Sequence, residues 1–264
     1  MSAPAQITLW HVPISHYSEK ARWALDHKRV PHTRRAVLGG LHPLVTWLLT
    51  RGEHQTVPVL TIDGVGIGDS TAIVGELEAR FPDRPLYPGD PDERRRALAL
   101  EEWFDEELGP YLRRLAYHEI TSDPQALAEL TNKQVPWVKP QTLRITAPNV
   151  ALFLDLRFGV RSAEGAKVAE EKLMAALDRL EAELEGRGEF LAGDALSVAD
   201  ITAASLFYGL ALPPEGPWQP DYVPPPWRER IDALRDRPGV RWVTETYARH
   251  RLPAARAQPV AAAA

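Results

Sequence analysis

Residues 55–81 read QTVPVLTIDGVGIGDSTAIVGELEARF, and three local signals follow one another in them. Val57 to Ile62 is β-branched and apolar, a strand that Pro58 interrupts at its start because proline has no N–H to give to a ladder. Asp63-Gly64 is a hairpin turn pair that returns the chain into a second short strand, Val65 to Ile67. Asp69 to Phe81 then sets Ile73, Val74 and Leu77 at helical spacing, so a helix closes the unit. GVGIG is read as turn glycine and not as a dinucleotide loop, since it sits in a hairpin and lacks the G-x-G-x-x-G spacing.

Upstream, Ile7 to Trp10 reads as a strand and Ser18 to His27 as a helix with Ala21, Trp23, Ala24 and Leu25 as its apolar surface. Pro43 to Leu49 is a second, poorer helical stretch. Downstream, PDRPLYPGDP at Pro82 to Pro91 holds four prolines in ten residues, which rules out regular structure and marks a linker. Beyond it the periodicity is helical: Asp92 to Glu119 with a kink expected at Gly109-Pro110, then Ala166 to Glu185. Ser197 to Leu212 is apolar nearly all round and so should be a buried helix. Ser197 and Asp200 form a capping-box pair at its start, with Leu196 and Ile201 placed as a hydrophobic staple. Two short helices, near Trp227 to Leu234 and Val240 to His250, are expected to finish the fold. The division expected is therefore a first domain over 1–82, a linker over 83–92, a helical domain over 93–252 and a disordered tail over 253–264.

At 264 residues, two domains are a better expectation than one, and 44% apolar with 25% charged residues is an ordinary globular balance. A net charge of -5 speaks against nucleic acid as a partner. No apolar run reaches the roughly 20 residues that cross a bilayer, and the start lacks the regions of a signal peptide, so no membrane partner and a cytoplasmic location are expected. The eight histidines show no metal-ligand spacing, and no metal is expected. With no cysteine in the chain there is no protein thiol, so any sulfur chemistry must come from a ligand.

Four stretches in this order, PISHYSEKARWAL (Pro13 to Leu25), QTVPVLTIDG (Gln55 to Gly64), DSTAIVGELEARFPDRPLYP (Asp69 to Pro88) and FLAGDALSVADI (Phe190 to Ile201), resemble the soluble glutathione transferase superfamily. The resemblance implies an α/β plus all-α fold: a thioredoxin-like N-terminal domain in the order β-α-β-α-β-β-α, followed by an all-helical C-terminal domain. It implies glutathione, or a similar low-molecular-weight thiol, as co-substrate, an apolar electrophile or ligand as the second partner, and a homodimer.

By the same resemblance, Val57 precedes a cis bond to Pro58 and offers its backbone to the cysteinyl part of glutathione. Asp69 and Ser70 match the acidic-Ser pair that meets the γ-glutamyl end, where helix-terminal amides and a hydroxyl suit a carboxylate and the acid suits an ammonium. Ser15 falls at the catalytic hydroxyl of the serine-type classes, which would stabilise a ligand thiolate; Ser18 and Tyr17 are its rivals, and either serine could simply cap the helix. Gln55 lies near the expected glycine carboxylate, with Arg51 or His54 able to add charge. Trp103, Tyr111 and Tyr117 could line an apolar pocket. The absence of cysteine argues against the oxidoreductase branch. The function expected is transfer of the thiol to an electrophile, with a non-catalytic ligand carrier and an interaction module as alternatives.

Overall fold

The computed structural model describes residues 6–37, 42–134, 149, 151–217 and 219–251. It divides into two compact units, the first running to Leu86 and taking in His250 and Arg251, the second running from Tyr87 to Arg249. The tail expected over 253–264 lies outside the described residues, as does the stretch 135–148, Trp137 included.

The first unit holds β1 (Ile7–His11), α1 (His16–His27), β2 (Thr33–Ala36), α2 (His42–Leu49), β3 (Val59–Ile62), β4 (Val65–Gly68) and α3 (Ser70–Arg80). The sheet order is β2-β1-β3-β4, with β1 parallel to β2 and antiparallel to β3, and β3 antiparallel to β4. This is the thioredoxin-like arrangement expected. Leu9, Val59, Leu60, Trp23, Ile73 and Leu77 are fully buried and form its core. Helices α1 and α3 pack together, and two buried lysines of the α1 segment serve the ends of α3. Lys20 Nζ donates to Thr71 Oγ1 at the start of α3 (2.9 Å), and Lys28 Nζ donates to the Phe81 carbonyl at its end (2.8 Å). A cation on the last carbonyls is favoured by the helix dipole as well as by the hydrogen bond.

The hairpin glycines do more than turn. Gly64 makes the turn (φ 84°), but Gly66 and Gly68 lie within β4, where a Cβ would fall 2.2 Å from the Leu49 carbonyl oxygen and 2.3 Å from the His54 ring. They are absent side chains that let the end of α2 and the loop after it close on the sheet.

Every regular element among the described residues of the second unit is a helix. The unit comprises α4 (Pro91–Glu107), α5 (Gly109–Ser122), α6 (Pro124–Gln134), a stretch α7 over 151–158, α8 (Ala163–Leu184), α9 (Val198–Ala211), α10 (Pro225–Leu234) and α11 (Pro238–His250). The linker read as 83–92 thus includes the first two residues of α4, which Asp90 caps by accepting from the Asp92 and Glu93 amides. The kink expected at Gly109-Pro110 is a full break between α4 and α5, because Pro110 has no N–H to carry the ladder across. Helix α9 is buried on almost every face, as its composition predicts.

Candidate functional site

The pairing register determines what gathers at one end of the sheet. Trp10 of β1 stands opposite Val59 of β3, and Val59 stands opposite Gly68 of β4. Whatever follows β1, precedes β3 or follows β4 therefore emerges at that same end. Those segments are the turn over 12–15, Val57-Pro58, and Asp69-Ser70. The N-termini of α1 and α3 both belong to it, and with them two sets of backbone amides that no helical carbonyl can satisfy.

Ser15 is the N-cap of α1, so the helix begins at His16 rather than at Ser18 as read from sequence. Its Oγ accepts from the Ser18 amide (3.2 Å), and among the described residues the hydroxyl donates to nothing. Capping and a free proton therefore coexist on one half-exposed side chain. Of its rivals, Ser18 is fully buried and its Oγ accepts from the Val12 amide (3.4 Å), which turns it into the protein. Tyr17 is half-exposed and packs against the His16 ring at 4.4 Å.

The peptide bond between Val57 and Pro58 is cis, and β3 begins only at Val59, leaving the peptide groups of Val57 outside the ladder. Asp69 caps α3 through Oδ1, which accepts from the Thr71 (2.9 Å) and Ala72 (3.1 Å) amides. Its backbone sits at φ 72° and ψ 134°, a region that an L-residue occupies at a cost of about 1–3 kcal/mol and that clusters at functional sites. Ser70 is only 3% exposed, and no described residue hydrogen-bonds its hydroxyl. Gln55 and Arg51 are exposed, while His54 is held by its amide on Thr50 Oγ1 (2.9 Å) and by its ring over Gly68.

Sequence reasoning missed what holds the turn before Ser15. Arg22 is 3% exposed, and it donates to His11 Nδ1 (2.7 Å) and to the Pro13 carbonyl (3.0 Å) while its Nε pairs with Glu19 (2.7 Å). Burial, then the Arg22 and Arg34 guanidinium groups, push the His11 imidazole down to about 3, so it stays neutral and accepts that bond. The i, i+3 spacing of Glu19 and Arg22 is the one sequence signal that could have suggested the pair.

In the second unit the three aromatic residues read as one pocket are engaged by different partners. Arg179 lies over Trp103 (5.7 Å), Lys172 over Tyr111 (5.3 Å), and Tyr117 packs on Phe158 (5.6 Å). The Tyr117 phenol is pushed up by burial, against the opposing pull of Arg113. The Ser197–Asp200 box is formed: Asp200 Oδ2 accepts from the Ser197 amide (2.8 Å) and hydroxyl (2.7 Å), and Oδ1 from the Leu191 amide (2.7 Å).

The sequence matches the family model described as Glutathione S-transferase, N-terminal domain over residues 9–85, and that described as Glutathione S-transferase, C-terminal domain over residues 94–236. The chain belongs to the glutathione S-transferase family. A relative within reach by sequence is FtsZ-localized protein A of Caulobacter vibrioides, 26% identical over 85% of this chain and 86% of that protein. Among solved structures, β-etherase LigF from Sphingobium sp. strain SYK-6 is 22% identical with a TM-score of 0.59, over 91% of this chain and 99% of that one. The theta class glutathione S-transferase of Xanthomonas axonopodis pv. citri, solved with glutathione bound, is 22% identical with a TM-score of 0.57, over 90% and 96%. At these identities the two structures establish the transferase fold.

Among the described residues of this transferase-family chain, no cluster of three His, Asp or Glu is placed to hold a metal ion. No helix among them is long and apolar enough to cross a membrane.

Proposed function

We propose that the protein is a glutathione-dependent transferase that holds the tripeptide as thiolate at the sheet end described above and adds it to an apolar electrophile. The carrying observation is the Trp10–Val59–Gly68 register, which delivers Ser15, Val57 and the Asp69-Ser70 pair to one place. The γ-glutamyl carboxylate takes the Ser70 hydroxyl and the Ser70 amide, the Thr71 and Ala72 amides being held by Asp69 Oδ1, and the ammonium takes the Asp69 oxygen that does not cap. Val57 pairs with the cysteinyl backbone beside the cis Pro58, and Gln55 meets the glycine carboxylate. The thiol then lies before α1, where the Ser15 proton and the positive helix end favour its charged form. The thiol proton leaves to water, the sulfur lone pair forms the C–S bond, and the bond it displaces sends its electron pair out with the leaving group, as halide from an aryl halide, or onto the neighbouring atom of an activated double bond, which takes a proton from water. None of these groups needs a metal, and the reaction is one of the cytoplasm.

Ser15→Ala tests this. A free thiol has a pKa near 8.5, so only a few per cent is thiolate at neutral pH. The variant should lose about 10²-fold in turnover with an aryl electrophile, as loss of one oriented donor does elsewhere, with little change in glutathione affinity. Thiolate ultraviolet absorbance of bound glutathione, titrated for parent and variant, reads the cause directly; identical titrations would move the role away from Ser15. A second reading, a ligand-binding protein without catalysis, is favoured by one observation: the 26%-identical relative is named for a localisation and not for a reaction. It predicts glutathione or apolar-ligand binding with no thiolate signal in the parent.

A further inference from the structure

Arg251 follows α11 directly and belongs to the first unit, where it is 7% exposed and its guanidinium lies 5.7 Å from the centre of the fully buried Trp23 ring. Its Nε donates to Glu19 Oε1 (2.7 Å) and its Nη1 to Asp26 Oδ2 (2.7 Å). The other oxygen of each carboxylate is taken as well, Glu19 Oε2 by Arg22 (2.7 Å) and Asp26 Oδ1 by Arg34. Two carboxylates of α1, exposed by 0% and 8%, are thus shared among three guanidinium groups, and the one from the far end of the chain bridges both.

We propose that Arg251 is a positioning residue for Ser15, acting through Glu19 and Arg22; its consequence for the thiol rests on the reading given above. With Arg251 occupying Glu19 Oε1, Arg22 needs only its Nε for the carboxylate. Its two terminal nitrogens then reach His11 Nδ1 (2.7 Å) and the carbonyls of Val12 (3.5 Å) and Pro13 (3.0 Å). The Val12 carbonyl also accepts the Ser15 amide (3.1 Å), so this guanidinium braces the turn that ends on the capping hydroxyl. Without Arg251, Oε1 of a fully buried carboxylate is left unpaired, which is strongly unfavourable. Arg22 is the cation already on Glu19, and its guanidinium is planar and suited to bidentate pairing. Turning it to chelate both oxygens withdraws it from the turn. Two paired charges, Glu19–Arg22 and Asp26–Arg34, would remain, so the expected defect is a loosened turn in a folded protein.

The test uses the full chain with Arg251→Met, Arg251→Lys and Glu19→Gln. Amide hydrogen exchange at Ser15 and Ser18, whose N–H groups bond to Val12 O and Ser15 Oγ, reports the turn without reference to any ligand. In Arg251→Met those two amides should exchange about tenfold faster or more, while amides of β1 and β3 keep their rates. Bound glutathione should titrate closer to the free thiol, with affinity changed by less than about threefold, since Asp69 and Ser70 are untouched. Arg251→Lys should recover part of both effects, because an ammonium neutralises but does not bridge. Glu19→Gln should shift both in the same direction as Arg251→Met, and it carries the experiment if Arg251→Met does not fold. Parental exchange at Ser15 and Ser18 in folded Arg251→Met or Glu19→Gln would overturn the positioning role. If bound glutathione in the parent titrates as a free thiol, the thiolate reading of Ser15 falls, and the exchange rates alone decide for or against Arg251.

Discussion

Replacing Asp200 with Ala removes the acceptor from a site with no access to water, since Asp200 is 0% exposed and Leu191 and Ser197 are buried around it. The Leu191 and Ser197 amides, now at 2.7 and 2.8 Å from the carboxylate, would be left without it. At about 1–3 kcal/mol for each buried donor, the loss is roughly 2–6 kcal/mol. Part of this is offset at neutral pH, because burial pushes the carboxyl from its ordinary 3.8 up to about 6, outweighing the bonds that favour the charged form. At 1.36 kcal/mol per pH unit, ionising it in the folded state costs roughly 3 kcal/mol, and alanine is spared that cost. In the folded protein the proton is held up to about pH 6, whereas the unfolded chain gives it up near 3.8. The parent therefore loses this stability as pH rises from about 4 to 6 and is level above that. Urea unfolding of parent and Asp200→Ala at pH 4, 5, 6 and 7 isolates the group, because every other carboxylate titrates in both proteins. The gap between them should be largest near pH 4, about 3–6 kcal/mol, and narrow by up to about 3 kcal/mol by pH 6.5. A gap that stays constant, or widens with pH, would refute the raised carboxyl.

Asp69→Asn with Ser70→Ala should weaken glutathione binding by about tenfold or more in calorimetry without altering the far-ultraviolet spectrum, because both side chains face the proposed γ-glutamyl end rather than the apolar stripe; parental affinity would put the pocket elsewhere. Gly66→Ala should cost about 1–3 kcal/mol in urea unfolding, since its Cβ would meet the Leu49 carbonyl oxygen at 2.2 Å and a backbone atom yields only if α2 shifts; an unchanged midpoint would show that the helix end gives way freely. Light scattering at micromolar concentration should give the mass of a homodimer, the state of closed two-fold symmetry commonest among oligomers; a monomer mass would remove that expectation.

The first unit was legible where apolar pattern and turn chemistry agree. VPVLTI, Asp63-Gly64 and the Ile73, Val74, Leu77 stripe identify β3, the hairpin and α3. Strand β2, by contrast, is TRRA and mostly exposed, so nothing apolar marks it and only pairing with β1 makes it a strand. Helix α1 buries Glu19, Lys20, Arg22 and Asp26 along with its apolar residues, which no hydropathy pattern predicts. Their partners include Thr71 and Arg251, distant in sequence, as well as Arg34 and the turn before Ser15, and a charge is read as surface until such a partner is known. The candidate site residues are carried by the order of the motifs. The register that assembles them is a property of the sheet, and no single stretch contains it.

Glutathione carriage and glutathione transfer place the same demands on most of this site. On the proposed reading, a backbone partner at Val57 and an acid and hydroxyl at Asp69-Ser70 would hold the tripeptide whether or not its sulfur reacts. Ser15 is where the two diverge. A hydroxyl that only capped α1 could be replaced by the carboxylate of Asp, which caps as well or better. A carboxylate in that place has no proton to give and repels a thiolate. Ser15→Asp should therefore preserve or raise thermal stability while abolishing the bound-thiolate signal, whereas Ser15→Ala loses both the cap and the donor. If Ser15→Asp instead retained the parental thiolate titration, the helix end alone would account for the charged sulfur, and the serine would be a cap and nothing more.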